Sequence, residues 1–194
     1  MRSSDCDIVI AGVGGQGVIL ISDVIGRAAV KAGLPVRGAE THGMAQRGGS
    51  VVNHTRINCR YSPMVAEGGA DLLLALEPVE ALRHAHFLAP GGTALVNTAP
   101  VLPVTVTTGK FAYPPLEKVL SPLQRIGTVR AFNATELAAS AGTVQAMNVV
   151  MLGALSRYIP ITEEAILAAL AQVVPEKHLK VNLRAFELGK AEVD

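Results

Sequence analysis

The feature that most constrains this chain is an apolar strand that runs directly into a glycine-rich corner. Residues 7–11 (DIVIA) read as a short buried strand, and residues 12–17 (GVGGQG) follow at once. Residues 18–32 are then apolar, with Asp23, Arg27 and Lys31 spaced by four as one solvated helix face would be. Gly12, Gly14 and Gly17 make a G-x-G-x-x-G between strand and helix. In such a corner the first glycine allows the tight turn, the second lets backbone approach a ligand, and the third lets helix pack on strand. The helix start beyond it carries unpaired N–H groups and a partial positive charge, which suits an anion. A tight turn with nothing bound fits the same residues, because the motif alone has many false positives.

Strand-like and helix-like stretches continue to alternate. Gly33 and Pro35 stop the first helix, and residues 36–39 read as a second strand. Residues 40–49 (ETHGMAQRGG) read as a polar loop, and residues 50–57 (SVVNHTRI) alternate as a third strand. Residues 72–76 (LLLAL) are wholly apolar and predict a central strand; Pro78 opens a helix to about Ala85, and residues 93–96 form the next strand. The Pro- and Thr-rich middle, residues 100–122, includes a strand-like stretch at 104–107 and a short helix from Pro115. Residues 129–133 predict a strand, after which Thr135 caps a helix to about Ala141. Three further helices are expected at 145–158, from Thr162 to Val174, and at 182–192. The pattern predicts one α/β domain over residues 1–194: a Rossmann-like, mainly parallel sheet flanked by helices, with a helical C-terminal part.

Strand carboxyl ends share one rim in such sheets, so the polar loop should lie beside the glycine corner. There His42 has the chemistry of a general acid or base, and Arg47 can hold a carboxylate or phosphate bidentately. A loop braced by Glu40 and Arg47, or packed on another subunit, fits these residues equally well. Glu40 also stands near the position where a dinucleotide site places its ribose-binding acid, although Gly15 and Gln16 are unusual there. His54 is expected in the core or on a sheet face, and His84 and His86 in solvent at a helix end. Asn148 lies on an apolar helix and must find partners, in the backbone, the glycine corner or another chain. No Ser-His-Asp order, HExxH or paired-carboxylate spacing is present.

Composition narrows the function class. A net charge of +1 gives no electrostatic footprint for nucleic acid, and 4% aromatic residues without Trp give no stacking platform. Cys6 and Cys59 cannot hold an iron–sulfur cluster by themselves and suit a reduced, cytoplasmic setting. The first seven residues carry charge and no apolar core of a signal peptide, and no apolar run reaches membrane-spanning length. Hydrophobic residues nevertheless reach 49% against 17% charged, and an exposed apolar patch would favour self-association of the isolated chain.

Several stretches together resemble one family. They are IVIAGVGGQGVILISDVIGRAA (8–29), ETHGMAQRGGSVVNHTRI (40–57), LALEPVEALR (74–83), YPPLE (113–117), NVVMLGALS (148–156), VPEK (174–177) and VNLRAFELG (181–189). They resemble the beta subunits of indolepyruvate:ferredoxin oxidoreductases, relatives of the gamma subunits of 2-oxoacid:ferredoxin oxidoreductases, over nearly the whole chain. The resemblance implies a single gamma-type domain that assists oxidative decarboxylation of indolepyruvate or another arylpyruvate to its acyl-CoA, with ferredoxin as acceptor. Coenzyme A is then the co-substrate. Thiamine diphosphate and [4Fe-4S] clusters are expected on a larger partner subunit, none is expected on this chain, and the chain alone is expected to be inactive. Gly12, Gly14, Gly15, Gln16, Gly17, His42, Gln46 and Arg47 become candidates for a rim facing that partner's cofactor cleft; no residue is assigned a catalytic role or a metal. Two other readings are a stand-alone NAD-type oxidoreductase and a non-catalytic assembly module. A third keeps the same role with pyruvate or another 2-oxoacid.

Overall fold

The computed structural model describes residues 5–42, 48–59 and 61–193. Strand β1 (Cys6–Val13) leads through the glycine corner into α1 (Val18–Lys31), which returns to β2 (Val36–His42). β3 (Ser50–Ile57) does not extend the sheet outward. It lies between β2 and β1 and runs antiparallel to both, with Val13 opposite Ser50 and His42 opposite Val51. β4 (Ala70–Ala75), β5 (Leu88–Asn97) and β6 (Thr128–Phe132) follow in parallel beyond β1, giving the order β2-β3-β1-β4-β5-β6. Among the described residues five strands therefore point one way and β3 is reversed.

Residue alternation sorts the core onto the two sheet faces. Ile8, Ile10, Leu72, Leu74 and Leu95 face one cluster, and Val9, Ala11, Leu73, Ala75 and Val96 the other. Burial on both sides explains why β4 is apolar at successive positions. The second face is covered by α2 (Pro78–Arg83), a 3-10 turn (Ala85–Phe87) and α4 (Leu116–Gln124). The first face is covered by α1 and by the helices of the C-terminal part: α5 (Ala134–Ala141), α6 (Met147–Leu155), α7 (Glu163–Val173) and α8 (Glu176–Ala191). All nine residues of α6 are buried, as expected of a helix that is apolar all round.

Several boundaries differ from the sequence expectation. Residues 104–107 are not a strand but one helical turn, α3 (Val104–Thr107). The β-branched run suggested a strand, but the stretch has no neighbour in the sheet and folds on itself: Thr107 donates its N–H to Pro103 O at 3.0 Å. α5 is capped by Asn133, whose side chain accepts the Glu136 N–H, and the Thr135 hydroxyl accepts from Asn97 instead. A 3-10 turn (Val144–Ala146) precedes α6, and α8 starts six residues earlier than expected, directly after Pro175. Glu40, Thr41 and His42 belong to β2, so the polar loop begins after them.

Candidate functional site

Three strand ends meet at the glycine corner. The Gln16 side chain folds back there: its Oε1 accepts the Val13 N–H at 2.7 Å, and its Nε2 donates to Leu76 O at 3.1 Å, tying β1 to the segment after β4. A Cβ on Gly12 would stand 3.0 to 3.2 Å from Val18, Gln16 and Leu76, so the corner closes this tightly only with glycine there. Gly14 donates its N–H to Gly49 O at 2.8 Å and accepts from Gly48 N–H at 3.4 Å. The exit of the polar segment is thereby stitched to the glycine corner, and the two glycine motifs of the sequence share one rim. Gly15 is exposed on it. His42 closes β2 on the same side, opposite Val51. Its side chain, and the whole of Gln46 and Arg47, lie outside the described residues.

Gly17, in the left-handed region at φ 86°, is the N-cap of α1; among the described residues no side chain caps that helix, and no acid occupies its first turn. Among the described residues, no side-chain cap or first-turn acid offsets the positive end of α1.

Glu40 does not reach this rim as a dinucleotide-binding acid would. In a dinucleotide fold β2 neighbours β1; here β3 intervenes, so β2 lies two strand spacings, about 9.5 Å, from β1. The Glu40 carboxylate instead accepts from Asn53 at 3.5 Å, in a separate groove between α1 and the β2–β3 edge. This placement counts against the NAD-type reading.

Beside the corner, below the carboxyl ends of β1 and β4, lies a crevice of about 500 Å³. Its floor holds a polar network that the motifs did not reveal. Ser50 donates its hydroxyl to Glu80 Oε2; His84 Nε2 stands 3.2 Å from that hydroxyl and 3.6 Å from the same carboxylate oxygen; Arg83 Nε donates to Glu80 Oε1 at 3.1 Å. Burial would raise the Glu80 carboxyl, but hydrogen bonds from His84 and Ser50 and the Arg83 charge outweigh it and hold the group below the ordinary glutamate value. The arrangement is not a nucleophilic triad, because the carboxylate accepts the serine hydroxyl's hydrogen bond directly rather than orienting the far imidazole nitrogen. His84 Nδ1 is buried without a partner among the described residues.

Glu77, 2% exposed, is the second anchor. Its Oε2 accepts the Glu80 N–H at 3.0 Å and caps α2 ahead of Pro78. Its Oε1 accepts from the Tyr113 hydroxyl and from the Val101 N–H at 3.4 Å. One carboxylate oxygen thus pins both ends of a strap, residues 101–113, that walls the crevice. Burial, then the hydrogen bond to Glu77 and its charge, push the Tyr113 phenol above its usual value.

The sequence placed His84 in solvent, whereas it is 9% exposed and engaged with Ser50. The i, i+4 spacing of Glu80 and His84 on one short helix was the signal that could have found the pair. Nothing local marks Tyr113, 36 residues from its partner Glu77. His54 is a core residue as expected: its Nδ1 accepts the Val65 N–H at 3.3 Å, and burial, then the nearby His84, lower its pKa. Cys6 is buried, and desolvation followed by the charges of Asp71 and Asp7 pushes its thiol up to about 12. Among the described residues no group of three His, Cys, Asp or Glu could hold a metal, and no helix is long and apolar enough to cross a membrane.

The family model for pyruvate ferredoxin/flavodoxin oxidoreductase matches residues 7–192. The chain is 44% identical over 188 residues to the indolepyruvate oxidoreductase subunit IorB of Thermococcus kodakarensis, covering 94% of this chain and 93% of that one. It is 48% identical over 136 residues to the same-named subunit of Archaeoglobus fulgidus, covering 70% and 68%. Among solved structures, the gamma subunit of the keto/oxoacid ferredoxin oxidoreductase of Geobacter sulfurreducens superposes with a TM-score of 0.72 at 26% identity, over 97% of this chain and 98% of that one. The 2-oxoglutarate:ferredoxin oxidoreductase of Magnetococcus marinus, with 2-oxoglutarate, coenzyme A and succinyl-CoA bound, superposes with a TM-score of 0.77 at 22% identity. That match covers 99% of this chain and 31% of the longer one, and it speaks for the fold alone.

Proposed function

This chain belongs to the pyruvate ferredoxin/flavodoxin oxidoreductase family, and on that premise we propose that it is the non-thiamine subunit of a 2-oxoacid:ferredoxin oxidoreductase acting on indolepyruvate or a related arylpyruvate. The reaction converts one 2-oxoacid anion, one coenzyme A thiol and two oxidised ferredoxins to an acyl-CoA, carbon dioxide, two reduced ferredoxins and one proton. Thiamine diphosphate supplies the carbanion chemistry when bound, and it and the clusters reside on the larger partner subunit. The names of the relatives, which cover almost the full length of this chain, support the indolepyruvate assignment.

The chain's own contribution is a rim. The Gly14 stitch to Gly48 and Gly49 carries this reading, because it sets the start of α1 beside the residues that end the polar segment. Placed against the partner, such a rim closes the cleft and excludes water from reactive intermediates. Its anion-friendly helix start, with Arg47, suits the phosphates of coenzyme A.

The test is Arg47→Ala in the reconstituted complex. Loss of one charge-assisted contact is expected to raise the KM for coenzyme A about tenfold while assembly persists. Unchanged activity, unchanged KM and unchanged assembly together would overturn the reading.

A further inference from the structure

β2 ends the sheet on one side, and among the described residues no strand pairs with its outer edge. Native sheets blunt such edges with proline, bulges or charge. From Val36 to His42 β2 holds no proline, its register with β3 is unbroken, and its Arg37 and Glu40 stand on opposite faces. Two bonds fix which way its backbone groups point. The Asn58 N–H donates to Pro35 O at 2.6 Å, so this pair, next in register after Val36 and Ile57, is a hydrogen-bonded one. Bonded and non-bonded pairs alternate in an antiparallel ladder. Arg37, Ala39 and Thr41 therefore bond to β3, while Val36, Gly38, Glu40 and His42 turn their N–H and C=O groups outward. The bond from Gly14 N–H to Gly49 O, which continues the β1–β3 register, gives the same phase from the other side of β3.

A groove of about 990 Å³ runs along this edge between β2 and α1. α1 presents Ile19 and Val30 to it, 48% and 68% exposed. Between them lie Asp23 and Arg27, an i, i+4 ion pair at 2.9 Å that is itself half-exposed. A Cβ on Gly26 would meet nothing within 4 Å, so the middle of this ridge is open. The chain turns from α1 into β2, so the two run antiparallel, with Val30 toward the Val36 end and Ile19 toward the His42 end.

We infer that a second copy of this chain covers the edge, its β2 pairing antiparallel with this β2 about a two-fold axis at Ala39. The whole strand then overlaps its copy. Gly38 and the second copy's Glu40 form a hydrogen-bonded pair, Ala39 meets its own copy as a close non-bonded pair, and Arg37 stands opposite Thr41. No like charges are opposed, and the small Gly38 and Ala39 leave the centre of the seam unobstructed. The same axis reverses α1 on its copy, so Ile19 comes level with Val30 and Asp23 with Arg27, apolar to apolar and acid to base. With α1 packed over β2 and β3, the two helices lie roughly 10–14 Å apart across the seam, within reach of these side chains. A net charge of +1 leaves little repulsion between copies. No residue of β2 or α1 lines the crevice beside the glycine corner, so the pairing leaves that crevice to the larger subunit.

The experiment follows the mass of the full chain by sedimentation equilibrium across micromolar concentrations. Wild type is expected to shift reversibly from 20.2 kDa to twice that mass. Gly38→Pro removes one outward donor from each copy and leaves the β2–β3 ladder intact, so association should weaken at least about tenfold with little change in melting temperature. Cross-linking reads the register without depending on that variant. In a Cys59→Ser background, Ala39→Cys places two thiols at the axis with Cα atoms about 4.5 Å apart, inside the disulfide range, and mild oxidation should link two copies. Thr41→Cys, about 14 Å from its own copy in this register, should stay unlinked. The same Ala39→Cys link is expected in the reconstituted complex. A wild type that stays monomeric, undiminished association of Gly38→Pro, or equal linking at positions 39 and 41 would each overturn the inference. So would a link from Ala39→Cys to the larger subunit in place of a second copy. Co-purification with the larger subunit tests the proposed function separately, so the two readings fail by different results.

Discussion

At the scale of single residues, Glu80 is the side chain on which most of the crevice floor depends. Its two oxygens serve Ser50, His84 and Arg83, and Ser50 is the first residue after the Gly48–Gly49 stitch to the glycine corner. The carboxylate therefore fixes where the polar segment leaves the rim. Glu80→Gln keeps the shape and removes the charge, so about 1–3 kcal/mol should be lost at pH 7. For a chain of this length that is a fall in Tm of roughly 3–10 °C. The pH dependence follows from the lowered pKa. A carboxyl held below its unfolded value adds stability that is fully present above the unfolded pKa, about 4.3, and is lost as pH falls through the folded value. Thermal melts of wild type and Glu80→Gln should thus differ fully at pH 7 and converge below about pH 4.3. A difference that is constant with pH would show that the charge is not what stabilises the floor.

At the scale of elements, the tightest joint lies between α6 and α8. A Cβ on Gly189 would stand 1.7 Å from Val150 O, and one on Gly153 2.0 Å from Phe186 O, so the two backbones touch where side chains would normally separate them. Gly189→Ala must push the helices apart and unseat the fully buried Phe186. Overpacking of this kind costs about 3 kcal/mol, the upper part of its usual range, and denaturant melts should read it as a lowered midpoint. Adding Gly153→Ala should cost less than its single effect, because the first substitution has already opened the shared seam. The same seam shows what the sequence could and could not convey. The glycine corner, the alternating β3, the apolar β4 and the Thr162 cap of α7 were legible because each is dictated within a few residues. The reversed insertion of β3 between β1 and β2 was not, because pairing partners are chosen by the whole sheet. Val104–Thr107 misled because β-branched residues favour strands only when a neighbouring strand is available to pair. At the candidate site, the pairing of Glu77 with Tyr113 left no trace in local spacing, whereas the meeting of the two glycine motifs followed from the rim rule for parallel strands.

At the scale of the whole molecule, the apolar excess divides into two parts. Most of it fills the two clusters on either side of the sheet. Another part is presented on the strap that Glu77 pins over the crevice: Val104 is 76% exposed and Phe111 69%, with Val101 and Leu102 beside them. None of the residues of α3 is buried, so the strap contributes little to the core of its own chain. Exposed apolar side chains concentrated beside a candidate site are the usual mark of a surface meant to be covered. The proposed function supplies the cover, the larger subunit, since the strap walls the same crevice that the rim overlooks. Phe111→Glu separates folding from assembly. At an exposed position the substitution should change the stability of the isolated chain by no more than about 0.5 kcal/mol. At the centre of an interface the loss of an aromatic anchor typically costs about 2 kcal/mol or more, which weakens association roughly 30-fold. Co-purification and sedimentation of the reconstituted complex should therefore show dissociation at concentrations where wild type stays whole, with the melting temperature of the free variant unchanged. A variant that assembles as tightly as wild type would place the partner on another face, and the exposed strap would then need a different occupant.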